Sequence, residues 1–151
     1  MSAQAIREGL LTVELPGRFQ VLPGRPTIVL DVAHNPHAAR ALAAALGSMG
    51  FYPETFAVCA MLADKDVRGV VDALRPRIDR WFVAGLPGAR GGGPDRMRDA
   101  LVAAGVESGD VSSHDDVAAA FRAAREVATD ADRIVVFGSF LTVAAAFAAA
   151  A

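Results

Sequence analysis

Four short segments hold the residues best suited to chemistry. They are Asp31–Val32–Ala33–His34–Asn35–Pro36, Met61–Leu62–Ala63–Asp64–Lys65–Asp66, the glycine-rich stretch 85–93, and Gly138–Ser139–Phe140. The first is the most informative. Asp31 closes an apolar, β-branched run, where a bare carboxylate is costly without a partner. A histidine and an asparagine follow, and Pro36 suits the first turn of a helix. Polar side chains are thereby displayed at the positive end of a helix, a natural place for an anion. Asn35 taken alone reads as a helix cap, and Asp31 can make local turn hydrogen bonds. Asp31 and His34 together read as functional.

The second segment repeats the pattern. Acidic residues at a helix start are ordinary dipole partners, but a cation there opposes the dipole. Lys65 is the only lysine among 15 lysine and arginine residues. Arginine replaces lysine easily on a solvated surface and poorly where a compact ammonium is needed. Lys65 therefore reads as functional, the alternative being a solvated side chain paired with Asp64 or Asp66. Gly91–Gly92–Gly93 reads as a mobile linker before a helix opened by Pro94, since no G-x-x-x-x-G-K-[ST] phosphate loop occurs. Gly138–Ser139 can present a hydroxyl and a backbone N–H, but no G-x-S-x-G elbow surrounds Ser139, so a hydrolase nucleophile is not expected. His37 is expected on an exposed first turn and His114 at a helix cap. Three scattered histidines lack ligand spacing, and no metal site is expected. Cys59 reads as core, and a single cysteine excludes an internal disulfide or a cysteine metal cluster.

These segments need elements to position them. Residues 3–11 read as the end of a helix. Strands are expected at 18–22 and 27–31, joined by the turn Pro23–Gly24–Arg25–Pro26. A helix follows from Pro36, closing at Gly50, then a strand at 55–61, a helix from 66 to about 78, and a strand at 81–84. Beyond the glycine-rich stretch come a helix from Pro94 to Gly105, a weak strand at 110–112, and a helix at 115–128 capped by Ser113 or His114. A strand at 133–137 and an alanine-rich helix, whose tail at 144–151 frays, complete the pattern. Apolar strands alternating with helices are buried on both faces, as in a parallel sheet. The expected fold is a three-layer α/β/α Rossmann-like sandwich, mostly parallel, with an antiparallel N-terminal hairpin. In such a fold ligands bind at the carboxyl ends of the strands, where all four segments fall.

Composition excludes several classes. A chain of 151 residues with 53% hydrophobic and 21% charged residues has material for one core and is neither disordered nor collagen-like. Apolar runs break well before the ~18 residues of a membrane span. A net charge of −2 with no basic block argues against nucleic acid or an anionic membrane as partner. The opening MSAQAIREGL lacks a signal pattern, so a cytoplasmic protein is expected.

Pro16–Gly17–Arg18–Phe19, the Asp31–Pro36 box, Asp64–Lys65–Asp66 and Gly138–Ser139–Phe140, in that order, resemble the C-terminal domain of the folylpolyglutamate synthase/dihydrofolate synthase family of Mur ligases. The resemblance covers about residues 10–147. It implies a Mur ligase C-terminal (glutamate ligase) domain over 16–151, with 1–15 a linker or tail of an N-terminal ATPase domain. Such ligases use ATP to activate a carboxylate as an acyl phosphate, which the amine of glutamate attacks. The acceptor is dihydropteroate or a reduced folate. ATP is the cofactor. Mg2+, the phosphate loop and most of the pterin site belong to the N-terminal domain, so this domain alone is expected to be inactive, and the parent enzyme monomeric. The resemblance gives ATP contacts to Arg18 and Asp31 and glutamate contacts to His34 and Ser139. It turns Lys65 toward the nucleotide or acyl phosphate, so that His34 and Lys65 are the catalytic candidates. Leu141 departs from the family, which often has histidine there. Two other classes stay open: a non-catalytic nucleotide- or amino-acid-binding module, which lacks G-x-G-x-x-G after its first strand, and a structural domain mediating oligomer contacts. Nucleotide titration separates them.

Overall fold

The structure, a computed structural model, describes residues 19–22, 24–88 and 93–150. The strands are β1 (Gln20–Leu22), β2 (Thr27–Leu30), β3 (Thr55–Cys59), β4 (Arg80–Ala84), β5 (Val111–His114) and β6 (Arg133–Phe137). The helices are α1 (Pro36–Gly47), α2 (Val67–Leu74), α3 (Pro94–Ala103), α4 (Val117–Val127) and α5 (Phe140–Ala149). The strands form one sheet in the order β1-β2-β6-β3-β4-β5. β1 pairs with β2 antiparallel, and the other pairs are parallel. This is the expected three-layer α/β/α architecture.

The sequence explains the layers. The TFAVC run of β3 and the RIVVF run of β6 are buried at every position, so each strand feeds two cores. From β2 the chain steps through β3, β4 and β5, then returns to insert β6 between β2 and β3. With right-handed crossovers, the outward steps place α1, α2 and α3 on one face, and the return places α4 on the other with α5 beside it. One core holds Leu42, Leu46, Val70, Leu74, Met97 and Leu101 against Trp81 and Phe137. The other holds Phe121, Ala124, Val143 and Phe147 against Phe56, Phe82 and Ile134. Each contains an edge-to-face aromatic pair, Trp81–Phe137 at 6.2 Å and Phe56–Phe82 at 6.0 Å. Buried alanines on α4 and α5 let the helices sit close to the sheet. Cys59 lies in the core, where burial pushes its thiol well above the ordinary range.

Several boundaries differ from expectation for local reasons. α1 stops at Gly47, where the Ser48 N–H closes on the Ala44 and Ala45 carbonyls and the Met49 N–H on that of Leu46, short of Gly50. α2 stops at Leu74 because Pro76 cannot continue it, and a single 3-10 turn, Arg75–Arg77, follows. β5 runs to His114, which is therefore not a cap. Its ring stacks on Phe82 and its Nε2 lies 2.8 Å from Ser112 Oγ. The cap of α4 is Asp116, which accepts from the Ala119 N–H at 2.8 Å. α5 stays helical to Ala149, through most of the stretch expected to fray. The expected helix at 3–11 and the residues Gly91 and Gly92 lie outside the described residues.

The amino edge of the sheet is tied by one buried cation. Arg133 is 5% exposed. Its Nε donates to Thr55 Oγ1 at 3.0 Å and its Nη1 to the Leu46 carbonyl at 2.8 Å, with the guanidinium 4.6 Å from the centre of the Tyr52 ring. Leu46 carries one of the last carbonyls of α1, the negative end of that helix. Burial lowers the guanidinium pKa from its ordinary value. Arg133→Met removes both bonds and leaves their acceptors buried. It is expected to cost about 1.5–3 kcal/mol, seen as a lower midpoint in an otherwise single thermal transition followed by circular dichroism. An unchanged midpoint would show that the bonds add nothing net.

Candidate active site

The insertion of β6 decides where a ligand fits. The helices after β2 and β3 lie on one face, and the helix after β6 lies on the other. The carboxyl ends of these three strands are thus the switch point of the sheet, where ligands of open α/β folds bind. The loops there are residues 31–35, 60–66 and 138–139, three of the four segments singled out by residue type. The fourth, 85–93, lies beyond β4. Its described residues Gly85, Leu86, Pro87 and Gly93 line a shallow hollow with Asp115 and Asp116.

Asp31 stands one residue past β2, and its N–H still bonds to Val136 of β6 at 2.9 Å. The residue is 8% exposed. Oδ1 accepts from the Ala33 N–H at 2.8 Å and Oδ2 from the Phe19 N–H at 3.2 Å. One carboxylate thus turns the loop toward α1 and pins the chain just ahead of β1. Arg18 lies outside the described residues. The β1–β2 register and the Phe19 bond bring the start of the hairpin to Asp31.

His34 is half-buried, with Nδ1 2.9 Å from the Val32 carbonyl. A carbonyl only accepts, so Nδ1 carries the proton and, in the neutral ring, Nε2 keeps the lone pair. Asn35 caps α1, its Oδ1 accepting from the Ala38 N–H at 2.8 Å, and Pro36 takes the first helical position. Of the two readings of Asn35, the cap is what forms.

Lys65 is half-buried on the β3–α2 loop. Its N–H donates to Leu62 O at 3.2 Å, and its carbonyl accepts from the Val67 N–H at 3.0 Å. Its ammonium makes no hydrogen bond or ion pair among the described residues. The pairing with Asp66 is not formed, because Asp66 caps α2 by accepting from the Gly69 N–H at 3.0 Å. Gly69 is a positioning residue that sequence reading missed. A Cβ there would stand 2.6 Å from Pro36 Cγ and 2.6 Å from Asp66 Oδ2. Only glycine lets the starts of α1 and α2 abut, which sets the His34 loop beside the Lys65 loop. A glycine three residues after a helix cap was the available signal.

Ser139 caps α5, its Oγ accepting from the Thr142 N–H at 3.0 Å. Thr142 is fully buried and donates its hydroxyl to the Ala60 carbonyl at 2.7 Å. The Ser139 proton then points to Thr142 Oγ1, 2.8 Å away, leaving Ser139 Oγ an acceptor. Gly138 makes this corner possible. Its φ is +129°, and a Cβ would run into the Ala60 carbonyl. Phe140 and Leu141, on the first turn of α5, are exposed. Among the described residues no group of three His, Cys, Asp or Glu side chains could hold a metal ion.

The N-termini of α1, α2 and α5 thus gather with an aspartate, an imidazole, an ammonium and a hydroxyl. Each helix start favours negative charge. The arrangement suits a polyanion beside a group carrying N–H donors.

Comparison with known proteins bears on the family and the fold. Residues 17–140 match the family model for the Mur ligase, glutamate ligase domain. The chain is 39% identical over 144 residues to the dihydrofolate synthase/folylpolyglutamate synthase of Escherichia coli K12, covering 95% of this chain and 32% of that protein. The ligand-free bifunctional folylpolyglutamate synthase/dihydrofolate synthase of Yersinia pestis superposes with a TM-score of 0.81 at 41% identity, over 99% of this chain and 35% of that one. E. coli FolC in complex with DHPP and ADP superposes with a TM-score of 0.79 at 39% identity, over 95% of this chain and 33% of that one.

Gly138→Ala tests how tightly the corner is built. Alanine at this φ costs about 1–3 kcal/mol in strain, and its methyl must displace the Ala60 carbonyl. The expected result is a lower thermal midpoint together with shifted amide resonances at Ser139 and Thr142. Wild-type stability and unchanged resonances would show that the corner gives way easily.

Proposed function

Because the chain belongs to the Mur ligase family, as its glutamate ligase domain, we propose that it supplies one half of the site of an ATP-dependent ligase that adds glutamate to dihydropteroate or a reduced folate. The chain spans about a third of the length of the curated relatives it matches. Residues 1–15 then act as the link to an ATPase domain and 16–151 as the ligase domain. The observation that carries the reading is the convergence of the Asp31, His34, Lys65 and Ser139 loops at one switch point.

In this reading the substrate's carboxylate, activated as an acyl phosphate, meets the amine of glutamate, and an amide forms as phosphate leaves. Arg18 and Asp31 face the nucleotide, Asp31 accepting from sugar hydroxyls. Lys65 offers its ammonium to phosphate charge as that charge shifts. Ser139 Oγ accepts from the amino group, and His34 Nε2 takes the proton that the amine sheds as it becomes a nucleophile. Magnesium, when bound by such ligases, offsets phosphate charge. The described residues gather no group of three His, Cys, Asp or Glu side chains, and the part read for them is charge, hydrogen bonding and orientation. Closure of two domains over the substrates completes the site. No described helix is long and apolar enough to cross a membrane. A net charge of −2 without a basic block favours neither nucleic acid nor an anionic membrane as partner, and the parent enzyme is read as monomeric from the family resemblance.

The chain alone is expected to release no ADP from ATP with glutamate and dihydropteroate. Turnover at ~1–1000 per second would overturn the half-site reading. Grafted in place of the matching third of the E. coli relative, the domain is expected to restore glutamate-dependent ADP formation. In that graft Arg18→Ala and Asp31→Ala should raise the ATP requirement roughly ten- to a hundredfold. His34→Ala should instead depress turnover or raise the KM for glutamate. A folded graft that binds nucleotide without turnover would favour the non-catalytic module.

A further inference from the structure

The β3–α2 loop is held from outside by a side chain that neither residue type nor spacing brought forward. Arg96 lies in the first turn of α3 and is half-buried. Its Nη1 donates to the Leu62 carbonyl at 3.1 Å and its Nη2 to the Lys65 carbonyl at 3.0 Å. We propose that Arg96 is a positioning residue for Lys65: its planar fork spans the two ends of the 62–65 turn and fixes the backbone from which the ammonium is presented. This rests on the reading of Lys65 as the phosphate-side cation.

Three features support it. The two carbonyls are three residues apart, and the Lys65 N–H also bonds to Leu62 O. Both ends of the turn are thereby tied to one rigid group, a geometry that the planar guanidinium presents preorganised and a flexible ammonium does not. The Lys65 peptide is held at both its N–H and its C=O, whereas its ammonium has no partner among the described residues. The fixed backbone thus carries an uncommitted charge. The clamp also comes from a different helix, so the loop's shape depends on α3 as well as on the strand and helix it joins.

The lone lysine makes a direct test possible on the 151-residue chain. Reductive methylation with 13C-formaldehyde labels Lys65 and the α-amine only, and keeps the positive charge. Inorganic triphosphate is the probe. The wild-type Lys65 methyl resonance is expected to shift to saturation. Arg96→Met keeps the apolar stem but loses both bonds. It should speed amide exchange at Lys65 and Val67 by roughly ten- to a hundredfold, with β3 and β6 amides as the reference, and raise the triphosphate needed for half the shift. Arg96→Lys should behave like Arg96→Met. Unchanged exchange at Lys65 and Val67, equal acceleration in β3 and β6, or full protection in Arg96→Lys would each overturn the proposal. A wild-type Lys65 signal that ignores triphosphate would sink the phosphate reading of Lys65 instead. The exchange rates would still decide the clamp.

Discussion

β6 is hydrogen-bonded on both sides, to β2 and to β3, and the carboxyl edge of the sheet follows from that placement. A strand that arrives last but sits in the middle must be approached from the face opposite to its neighbours' helices. The backbone is then forced apart where those helices diverge. Three helix N-termini and three loops border the opening. Had β6 paired at the outer edge of β5, two strands would separate the Ser139 loop from that of Lys65 and three from that of Asp31.

Packing strands this closely has consequences for the polar groups at their ends. Each helix start carries N–H groups without partners in the helix. Asn35, Asp66, Asp116 and Ser139 each accept from one of them. Several side chains that look chemical in the sequence are therefore engaged in holding the scaffold. Asp31 holds two backbone N–H groups as well. Among the described residues, what stays open for chemistry is narrower: His34 Nε2, the Lys65 ammonium and an acceptor lone pair on Ser139, while each Asp31 oxygen can accept a second hydrogen bond. Their surroundings are fixed by contacts within the scaffold, among them Thr142 against Ala60 and Gly69 against Pro36.

The two edges of the sheet divide the work. At the amino edge Arg133 fastens α1 to β3 and β6 with charge-assisted bonds in a buried setting. The carboxyl edge displays polar groups to solvent and is built from loops. Rigid strands anchored at one end can thus hold variable loops at the other.

Strand and helix order was legible in the sequence because buried parallel strands are short continuous apolar runs and their crossover helices are periodic. The Asp31, Lys65 and Ser139 segments were legible because polar residues directly after such runs must sit at strand ends. Local chemistry went further in one case, since Asn35 before Pro36 is a cap by residue type alone. Sequence reading failed where competing neighbours decided the outcome. His114 became a strand residue because the β4–β5 ladder and the Phe82 ring claimed it, leaving the cap of α4 to Asp116. The roles of Arg96, Arg133 and Thr142 were not legible, because each acts on a partner that the chain order sets apart. Arg96 reaches back 31 residues to Lys65, Arg133 78 to Thr55, and Thr142 82 to Ala60. Residue type and local spacing report what a side chain can do. Which side chain it does it with is set by the sheet order, through contacts that no local pattern encodes.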